Sequence, residues 1–180
     1  MIRRIKNKLV KLYFTKIKHF DGSDYTIYRM CKAGMKVGDR CRIFSDLTWN
    51  REPYLITIGD NVTISGGVEL CTHDNSVIKL IPGKTDIVGE IKIGNNCFIG
   101  MHSIIMYGVT LGDGCIVGAG SVVTHSFPAN TVLAGNPARA ITTSDKLAEK
   151  YRDKAINFRE IPFEKQAQYM KDHPELLVKR

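Results

Sequence analysis

Residues 91–125, IKIGNNCFIGMHSIIMYGVTLGDGCIVGAGSVVTH, carry the pattern that decides the fold. An aliphatic residue recurs every six positions through this stretch, and glycine follows four of the repeat aliphatics. The run consists of Ile87, Ile93, Ile99, Ile105, Leu111, Val117 and Val123. A period of six differs from the 3.6 of an α-helix and from the alternation of a β-meander. It predicts a parallel β-helix in which each hexapeptide forms one short strand and a turn.

Three such units would close one triangular coil and place every repeat aliphatic on its axis. Stacked coils bury a continuous core that no single repeat can bury alone. Cys97 and Cys115 stand four residues after a repeat aliphatic, where the alternation of a strand points inward again. We therefore expect both cysteines to be core residues rather than ligands or nucleophiles. The same period appears earlier and is interrupted at 44–57 and 71–86.

Length and composition indicate one globular domain with short terminal additions. The chain has 180 residues, of which 43% are hydrophobic and 24% charged, which argues against disordered, collagen-like and membrane-spanning classes. We divide it into an N-terminal segment at 1–30, a β-helix domain at 31–142 with a loop at 71–86, and a C-terminal helical cap at 143–180. Thr143 or Ser144 would cap the first helix of that segment.

The positive charge is concentrated at the start of the chain. The net charge is +8, and residues 1–20 contribute +7 of it because they contain seven Lys and Arg residues and no acidic residue. Apolar residues recur there at near-helical spacing, which predicts a basic amphipathic helix. It would either pack its apolar stripe on the body or lie on an anionic membrane surface. No nucleic-acid recognition motif accompanies the charge, so a nucleic-acid partner is not expected.

The expected cellular location of the protein follows from the same region and from the cysteines. The start lacks the small-residue cleavage site of a signal peptide, and lysines interrupt its apolar stretch. The five cysteines form no CxxC pair, which favours reduced thiols. We expect a cytoplasmic protein, with the inner face of the membrane as an alternative address through the basic segment.

Two segments carry a family resemblance. EPYLITIGDNVTISGGVELCTHDN at 52–75 and the stretch at 91–141, which ends in AGNPARAI, resemble the hexapeptide-repeat acyltransferases. The likeness is strongest to the branch of polysaccharide and galactoside O-acetyltransferases and covers about residues 34 to 142. It implies a mainly-β fold, a left-handed parallel β-helix of hexapeptide repeats, to which the terminal helices are added. It also implies acetyl-CoA as the acyl donor and homotrimers with active sites between neighbouring subunits.

His73 is the candidate general base. It stands where the hexapeptide ladder stops, between Thr72 and Asp74, and a histidine at a loop mouth is accessible to a substrate. Acyl transfer to a hydroxyl needs a base, and imidazole is suited to that near neutral pH. From composition alone a solvated loop histidine is the more frequent case. The THD box resembles the catalytic histidine of the family, which favours the base. Asp74, beside it, is a candidate for binding the acceptor.

The resemblance also assigns residues for the acyl donor. The family's oxyanion-binding amide falls on Met101, where a backbone N–H would stabilise the tetrahedral intermediate and contact the donor. The small residue that faces pantetheine falls on Ala119. Further CoA contacts fall on Thr124, His125 and Arg139, and the guanidinium of the last suits phosphate. His125 departs from the lysine common at that place, and ordinary loop polarity stays open for it and for Thr124.

The acceptor side is less defined. The galactoside branch has an asparagine in an early coil, and this sequence has Phe44 there, followed by Ser45 and Asp46. Asp46 and Trp49 are candidates for sugar contacts, and packing at the coil end accounts for them equally well. We predict sugar O-acetylation of a cell-surface polysaccharide or its precursor, with no metal required. The alternatives are a γ-carbonic-anhydrase-like metal-dependent lyase and a non-catalytic β-helix scaffold.

Overall fold

The computed structural model describes residues 22–45 and 52–178. Helix α1 (Gly22–Lys32) precedes the strands, and α2 (Ser144–Tyr151) and α3 (Phe163–Asp172) follow them. Short 3₁₀ helices lie at Pro53–Leu55, Ser76–Lys79, Arg152–Lys154, Phe158–Glu160 and Pro174–Leu176. The basic residues 1–20 lie outside the described residues. None of the helices in the described part of the chain combines the length and the hydrophobicity that a membrane span requires.

The strands between the helices form a parallel coil with three faces, which we call A, B and C. Face A contains β1 (Lys36–Val37), β3 (Ile56–Ile58), β8 (Ile91–Ile93) and β11 (Thr110–Leu111). Face B contains β2 (Arg42–Ile43), β4 (Thr63–Ile64), β9 (Phe98–Ile99), β12 (Ile116–Val117) and β14 (Thr131–Gly135). Face C contains β5 (Glu69–Leu70), β10 (Ile104–Ile105) and β13 (Val122–Val123). β15 (Ala138–Thr143) closes face B by pairing with β14 in antiparallel fashion.

The pairing register explains the period of six. Ile93 pairs with Leu111 on face A, Ile99 with Val117 on face B and Ile105 with Val123 on face C. Each pair is eighteen residues apart, so one coil consists of three hexapeptides. Because side chains on one strand alternate between its two faces, each two-residue strand of the coil sends one aliphatic inward, and the three-residue strands β3 and β8 send two.

The core confirms most of the repeat prediction and corrects one residue. The six aliphatics from Ile93 to Val123 are at most 2% exposed, and Cys97 and Cys115 lie among them. Ile87 is different, since it is 43% exposed and pairs with Asp74 in an antiparallel strand pair outside the coil. The prediction that Ile87 faces the axis is therefore wrong. Its place six residues before Ile93 is coincidental, and the coil core resumes at Ile91.

The corners between the faces stack into three edges along the coil. The ladder edge joins faces A and B and contains residues 38–41, 59–62, 94–97, 112–115 and 128–130. The amide edge joins faces B and C and contains residues 65–68, 100–103 and 118–121. The histidine edge joins faces C and A and contains residues 71–72, 89–90, 106–109 and 124–126.

The C-terminal segment begins as the sequence indicates. Thr143 is the N-cap of α2, and its hydroxyl accepts a hydrogen bond from the backbone N–H of Lys146. Asp145 lies in the first turn, where a negative charge interacts favourably with the helix dipole. The helix follows β15 directly, so it lies at the end of the coil where the repeats stop.

Candidate functional site

The coil is interrupted on the histidine edge by a loop at 73–88. Cys71 still bonds to the coil through its N–H and the Ile105 carbonyl, and Gly89 rejoins it by donating to the Thr72 carbonyl. Between these points β6 (His73–Asp74) and β7 (Ile87–Val88) form a short antiparallel pair. The departure was expected at 71–86, so the structure places both ends two residues later. His73 is thus the first residue after the chain leaves the coil.

The ring of His73 is held by a carboxylate. Nδ1 of His73 lies 2.9 Å from Oε2 of Glu52, and the same oxygen accepts a hydrogen bond from Oγ1 of Thr72 at 2.9 Å. The two side chains of the pair are 24% and 19% exposed, while Thr72 is fully buried. An ionised carboxylate only accepts hydrogen bonds, so Nδ1 carries the proton in this pair. In the neutral ring Nε2 is then the acceptor.

Asp74 is fixed beside this pair. Its Oδ1 accepts the backbone N–H of Ser76 at 2.8 Å, and Tyr107 on the next coil donates its hydroxyl to Oδ2 at 3.4 Å. The hydrogen bonds from Ser76 hold the pKa of Asp74 below its ordinary value, with smaller contributions from Tyr107 and His73. Asp74 is therefore an anion that can accept a hydrogen bond from a ligand hydroxyl near neutral pH.

The amide edge carries two of the residues assigned to the acyl donor. Met101 and Ala119 lie one coil apart, and the Gly120 N–H donates to the Met101 carbonyl at 2.8 Å. Within the described ranges, neither the Met101 nor the Ala119 backbone N–H donates to a protein acceptor. Both residues are exposed, Met101 to 53%. This edge can therefore offer backbone N–H groups to a ligand that lies along it.

His102 follows Met101 and lies over a glycine. Its backbone has φ +56°, and a Cβ on Gly67 would lie 2.2 Å from Nδ1 of His102. The imidazole thus occupies space that only a glycine leaves open, since any larger residue at 67 would displace the ring. No hydrogen bond joins His102 to the pair of His73 and Glu52 among the described residues.

The remaining assigned residues divide between two edges. Arg139 pairs with Ala134 in the β14–β15 hairpin, and Ala134 packs under Gly118, so Arg139 lies at the end of the amide edge. Its guanidinium donates to the Ala138 carbonyl at 2.9 Å. Thr124 and His125 lie on the histidine edge, where Oγ1 of the first is 2.8 Å from Nδ1 of the second.

The structure therefore groups the predicted residues into two sets separated by face C. His73, Asp74, Thr124 and His125 belong to the histidine edge, and Met101, Ala119 and Arg139 to the amide edge. Asp46 and Trp49 lie outside the described residues. Glu52 was not predicted. A usable signal existed, because a histidine base needs a partner for its second nitrogen, and Glu52 stands about one coil before His73.

A metal site would need several His, Cys, Asp or Glu side chains close together. Among the residues that the structure describes, no group of three or more His, Cys, Asp or Glu side chains is arranged to hold a metal ion. Cys41, Cys97 and Cys115 are buried in the coil instead, and burial raises the pKa of the Cys97 thiol to about 11.

Comparison with known proteins extends the fold assignment. A family model described as the hexapeptide repeat of succinyl-transferase matches residues 90–125. Protein CapG from Staphylococcus aureus is 42% identical over 144 residues, which cover 77% of this chain and 83% of that protein.

Two of the solved structures that resemble this chain are sugar acetyltransferases. A maltose O-acetyltransferase from Clostridium difficile 630 superposes with a TM-score of 0.54 at 28% identity, covering 78% of this chain and 85% of that one. A galactoside acetyltransferase in complex with coenzyme A superposes with a TM-score of 0.53 at 27% identity, covering 81% and 82%. These matches imply the left-handed coil that the sequence predicts. With its repeat, its core and its relatives in agreement, this chain belongs to the hexapeptide-repeat acetyltransferase family.

Proposed function

We propose that the protein is an acetyl-CoA-dependent O-acetyltransferase that modifies a hydroxyl of a sugar, in a cell-surface polysaccharide or its precursor. His73 is the general base, and the Met101 amide stabilises the oxyanion. The observation that carries this proposal is the pair formed by His73 and Glu52. Because Nδ1 of His73 bonds to the carboxylate, Nε2 is the nitrogen available to take a proton.

The reaction follows from that arrangement. Nε2 of His73 removes the proton of the acceptor hydroxyl as its oxygen attacks the thioester carbonyl carbon. The carbonyl oxygen becomes an oxyanion, which the Met101 N–H stabilises by a few kcal/mol, as is typical of an oxyanion-hole donor. The C–S bond then breaks, and the imidazolium returns its proton to the CoA sulfur. The products are an acetyl ester and free CoA.

The amide edge supports the binding of acetyl-CoA. Met101 and Ala119 present exposed N–H groups along a line parallel to the coil axis, and the small side chain at 119 leaves room for a narrow chain. Arg139 is exposed at the end of this line, where a guanidinium can pair with phosphate oxygens. Thr124 and His125 complete the proposed CoA contacts from the histidine edge. The complex of the galactoside acetyltransferase with coenzyme A supports this choice of donor.

Two chains complete one site in this proposal. Face C separates Met101 from the histidine edge, and six residues of extended strand span up to about 20 Å. A base must come within about 3 Å of the hydroxyl that attacks the carbonyl, and a site built from His73 and Met101 of one chain would have to bridge face C. We propose a homotrimer in which His73 of one subunit faces the amide edge of its neighbour.

The outward side chains of the faces agree with such a contact. On the later coils, faces B and C, which meet at the amide edge, present apolar side chains outward, whereas face A presents lysine and threonine. The first strands differ, since Arg42 and Thr63 point outward on face B and Glu69 points outward on face C. The outward apolar residues are Phe98, Ile116, Ile104 and Val122. The outward residues of face A are Lys36, Thr57, Lys92 and Thr110. Apolar surface around the amide edge favours a protein contact there rather than water.

The acceptor is proposed from the relatives and from Asp74. Two matched structures are named as acetyltransferases of maltose and of galactoside. The anionic carboxylate of Asp74, beside His73, suits a neighbouring sugar hydroxyl as a donor. Asp46 remains a proposed second contact. The test is to incubate the protein with acetyl-CoA and a panel of sugars and amino sugars, and to measure free thiol and the product mass.

We expect thiol release only with a hydroxyl acceptor, together with an ester that mild base removes. A base-stable amide would indicate N-acetylation instead, and no release with any acceptor while acetyl-CoA fails to raise the Tm would favour the scaffold alternative. The basic N-terminal segment is proposed as a peripheral contact with the inner face of the membrane. Deletion of residues 1–18 should then abolish binding to anionic liposomes and preserve turnover with a soluble acceptor.

A further inference from the structure

Glu52 reaches His73 from a different part of the chain. It precedes the 3₁₀ helix Pro53–Leu55 and is fixed there because its carbonyl accepts the Leu55 N–H at 3.0 Å. β3 then begins at Ile56, in the core of the coil. The carboxylate is thus attached to a hydrogen-bonded turn that leads into the core, about one coil before the residue that it contacts.

The contact is specific in its geometry. One oxygen, Oε2, receives both the Thr72 hydroxyl and Nδ1 of His73, and each distance is 2.9 Å. Thr72 is fully buried, and its carbonyl receives the Gly89 N–H at the point where the loop rejoins the coil. The threonine therefore fixes the position of the carboxylate, and the carboxylate fixes the ring. The backbone of His73 is held separately by its pairing with Val88.

The charged groups around the ring are few. Glu52 faces Nδ1 from the segment before β3, and Asp74 lies beside the ring on β6. The paired strand β7 presents Val88, which is uncharged. Glu52 is therefore the carboxylate in direct contact with the imidazole within the described part of the chain.

We propose that Glu52, locked by Thr72, is the positioning residue of the base, and this rests on the proposed function of His73. It selects the neutral tautomer with the proton on Nδ1, directs Nε2 toward the acceptor hydroxyl, and stabilises the imidazolium after that proton is taken up. It transfers no proton itself. Loss of such a carboxylate leaves the histidine in the wrong tautomer, which lowers the turnover of hydrolytic enzymes with the same arrangement.

The test compares two glutamates that lie near the histidine edge. Glu52→Ala removes the partner of the ring, and Glu90→Ala removes a carboxylate that pairs with Lys92 instead. The tautomer of His73 is measured by ¹⁵N NMR of histidine-labelled protein, with the signal assigned by its loss in His73→Ala. In parallel, kcat and the KM for acetyl-CoA are measured with an active acceptor.

For Glu52→Ala we expect the proton to move from Nδ1 to Nε2 in the neutral ring, and kcat to fall by about 10²-fold with an unchanged KM. Glu90→Ala should change neither. The inference is overturned if Glu52→Ala keeps the proton on Nδ1, or if its kcat stays within about twofold of wild type while His73→Ala is impaired. The NMR measurement needs no acceptor, so it judges the Glu52 contact even where the proposed transfer reaction fails.

A second variant covers a failure of Glu52→Ala to fold. Glu52→Gln has nearly the same shape, and its amide oxygen can still accept from Thr72 and from Nδ1. We expect the tautomer to be kept and kcat to fall by about tenfold, because a neutral amide stabilises the imidazolium less than a carboxylate does. A wild-type kcat in Glu52→Gln overturns the electrostatic part of the proposal.

Discussion

The ladder edge and the histidine edge are two corners of the same coil, and they differ in what their polar groups bond to. On the ladder edge the backbone N–H groups of Asp39, Asp60 and Asn95 each donate to a side-chain oxygen on the next coil, at 2.8 Å in all three cases. On the histidine edge the coil is interrupted, and side chains from three separate segments meet there: Glu52 contacts the imidazole of His73, and Tyr107 contacts Asp74. The polar groups of the ladder edge bond to one another, whereas on the histidine edge Nε2 of His73 remains available to a substrate.

The turns of the ladder edge show how consecutive coils stabilise one another there. Asn61, Asn96 and Asn130 have φ between +54° and +59°, a conformation that asparagine tolerates better than most residues. Asn61 also donates its side-chain amide to the Asn96 side chain at 2.9 Å. Each turn is thus stabilised by the next, and a substitution there should affect folding rather than chemistry. The histidine edge should show the reverse.

The first prediction concerns the base itself. His73→Ala should lower kcat by ~10² to 10⁴-fold, because the acceptor hydroxyl loses its proton acceptor, and should leave the affinity for acetyl-CoA unchanged. The wild-type profile of kcat/KM against pH should have an acid limb set by an imidazole, and this limb should be absent in the variant.

His102→Ala is the control. Because His102 lies on the amide edge, its replacement should lower kcat less than His73→Ala does. A trimeric His73→Ala protein that binds acetyl-CoA and transfers acetyl groups at the wild-type rate would contradict the mechanism. Asp74 and His102 would then be the next candidates.

The second prediction separates the two edges onto two chains. Ala119→Trp should block the amide edge, so this variant and His73→Ala should each be inactive alone. In trimers refolded from an equal mixture, about a quarter of the sites should combine an intact His73 with an intact amide edge of the neighbour. Thiol release should therefore recover to about that fraction of wild type.

Light scattering should show a mass near three times 20.2 kDa for the wild type and for the mixture. Mixed trimers without activity would place both edges of the site on one chain. A monomer with full activity would contradict the proposal that two chains share one site.

The third prediction concerns acid and the ladder edge. Hydrogen bonds from the N–H and the side chain of Asn95 hold the pKa of Asp113 below its ordinary value. A folded-state pKa below the unfolded one means that Asp113 contributes stability above the unfolded value of about 3.9, and that this is lost as the pH falls further. The free energy of unfolding in urea should decrease between pH 5 and pH 3.

Asp113→Asn keeps an oxygen that can accept the Asn95 N–H and cannot titrate, so the decrease should become smaller. Asp153→Asn, in the 3₁₀ helix after α2 and outside the ladder, is the matched control. An identical decrease in wild type and Asp113→Asn would show that the ladder carboxylate is not linked to folding.

How much the sequence predicts depends on which edge a residue lies on. The period of six identifies Ile93 and Ile99 as core residues because every coil repeats the same burial. It fails at Ile87, where the spacing continues by chance after the chain has left the coil. It locates His73 at that interruption, but not Glu52, because a side-chain contact between segments about twenty residues apart follows from the stacking register of two irregular corners. The hexapeptide period does not encode such a contact, and the signal that points to Glu52 is chemical: a histidine base needs a partner, and Glu52 stands about one coil before it.

The smallest expected effect is a difference in thiol reactivity between the edges. Burial is the largest cause that raises the pKa of Cys97 on the ladder edge, to about 11, and that of Cys71 on the histidine edge. Only the thiolate reacts, so both should lag behind the exposed Cys31 when native protein meets a disulfide reagent near pH 8. Cys71 is only half-buried and lies two residues before the 73–88 loop, so local opening there should expose it sooner than Cys97.

Peptide mapping after timed quenching should show that Cys31 reacts first, Cys71 next and Cys97 last. In the Cys31→Ser variant only the fast phase of the reaction should be lost. If Cys97 reacted before Cys71, the regular ladder edge would be the less stable of the two, and the contrast between the edges would be wrong.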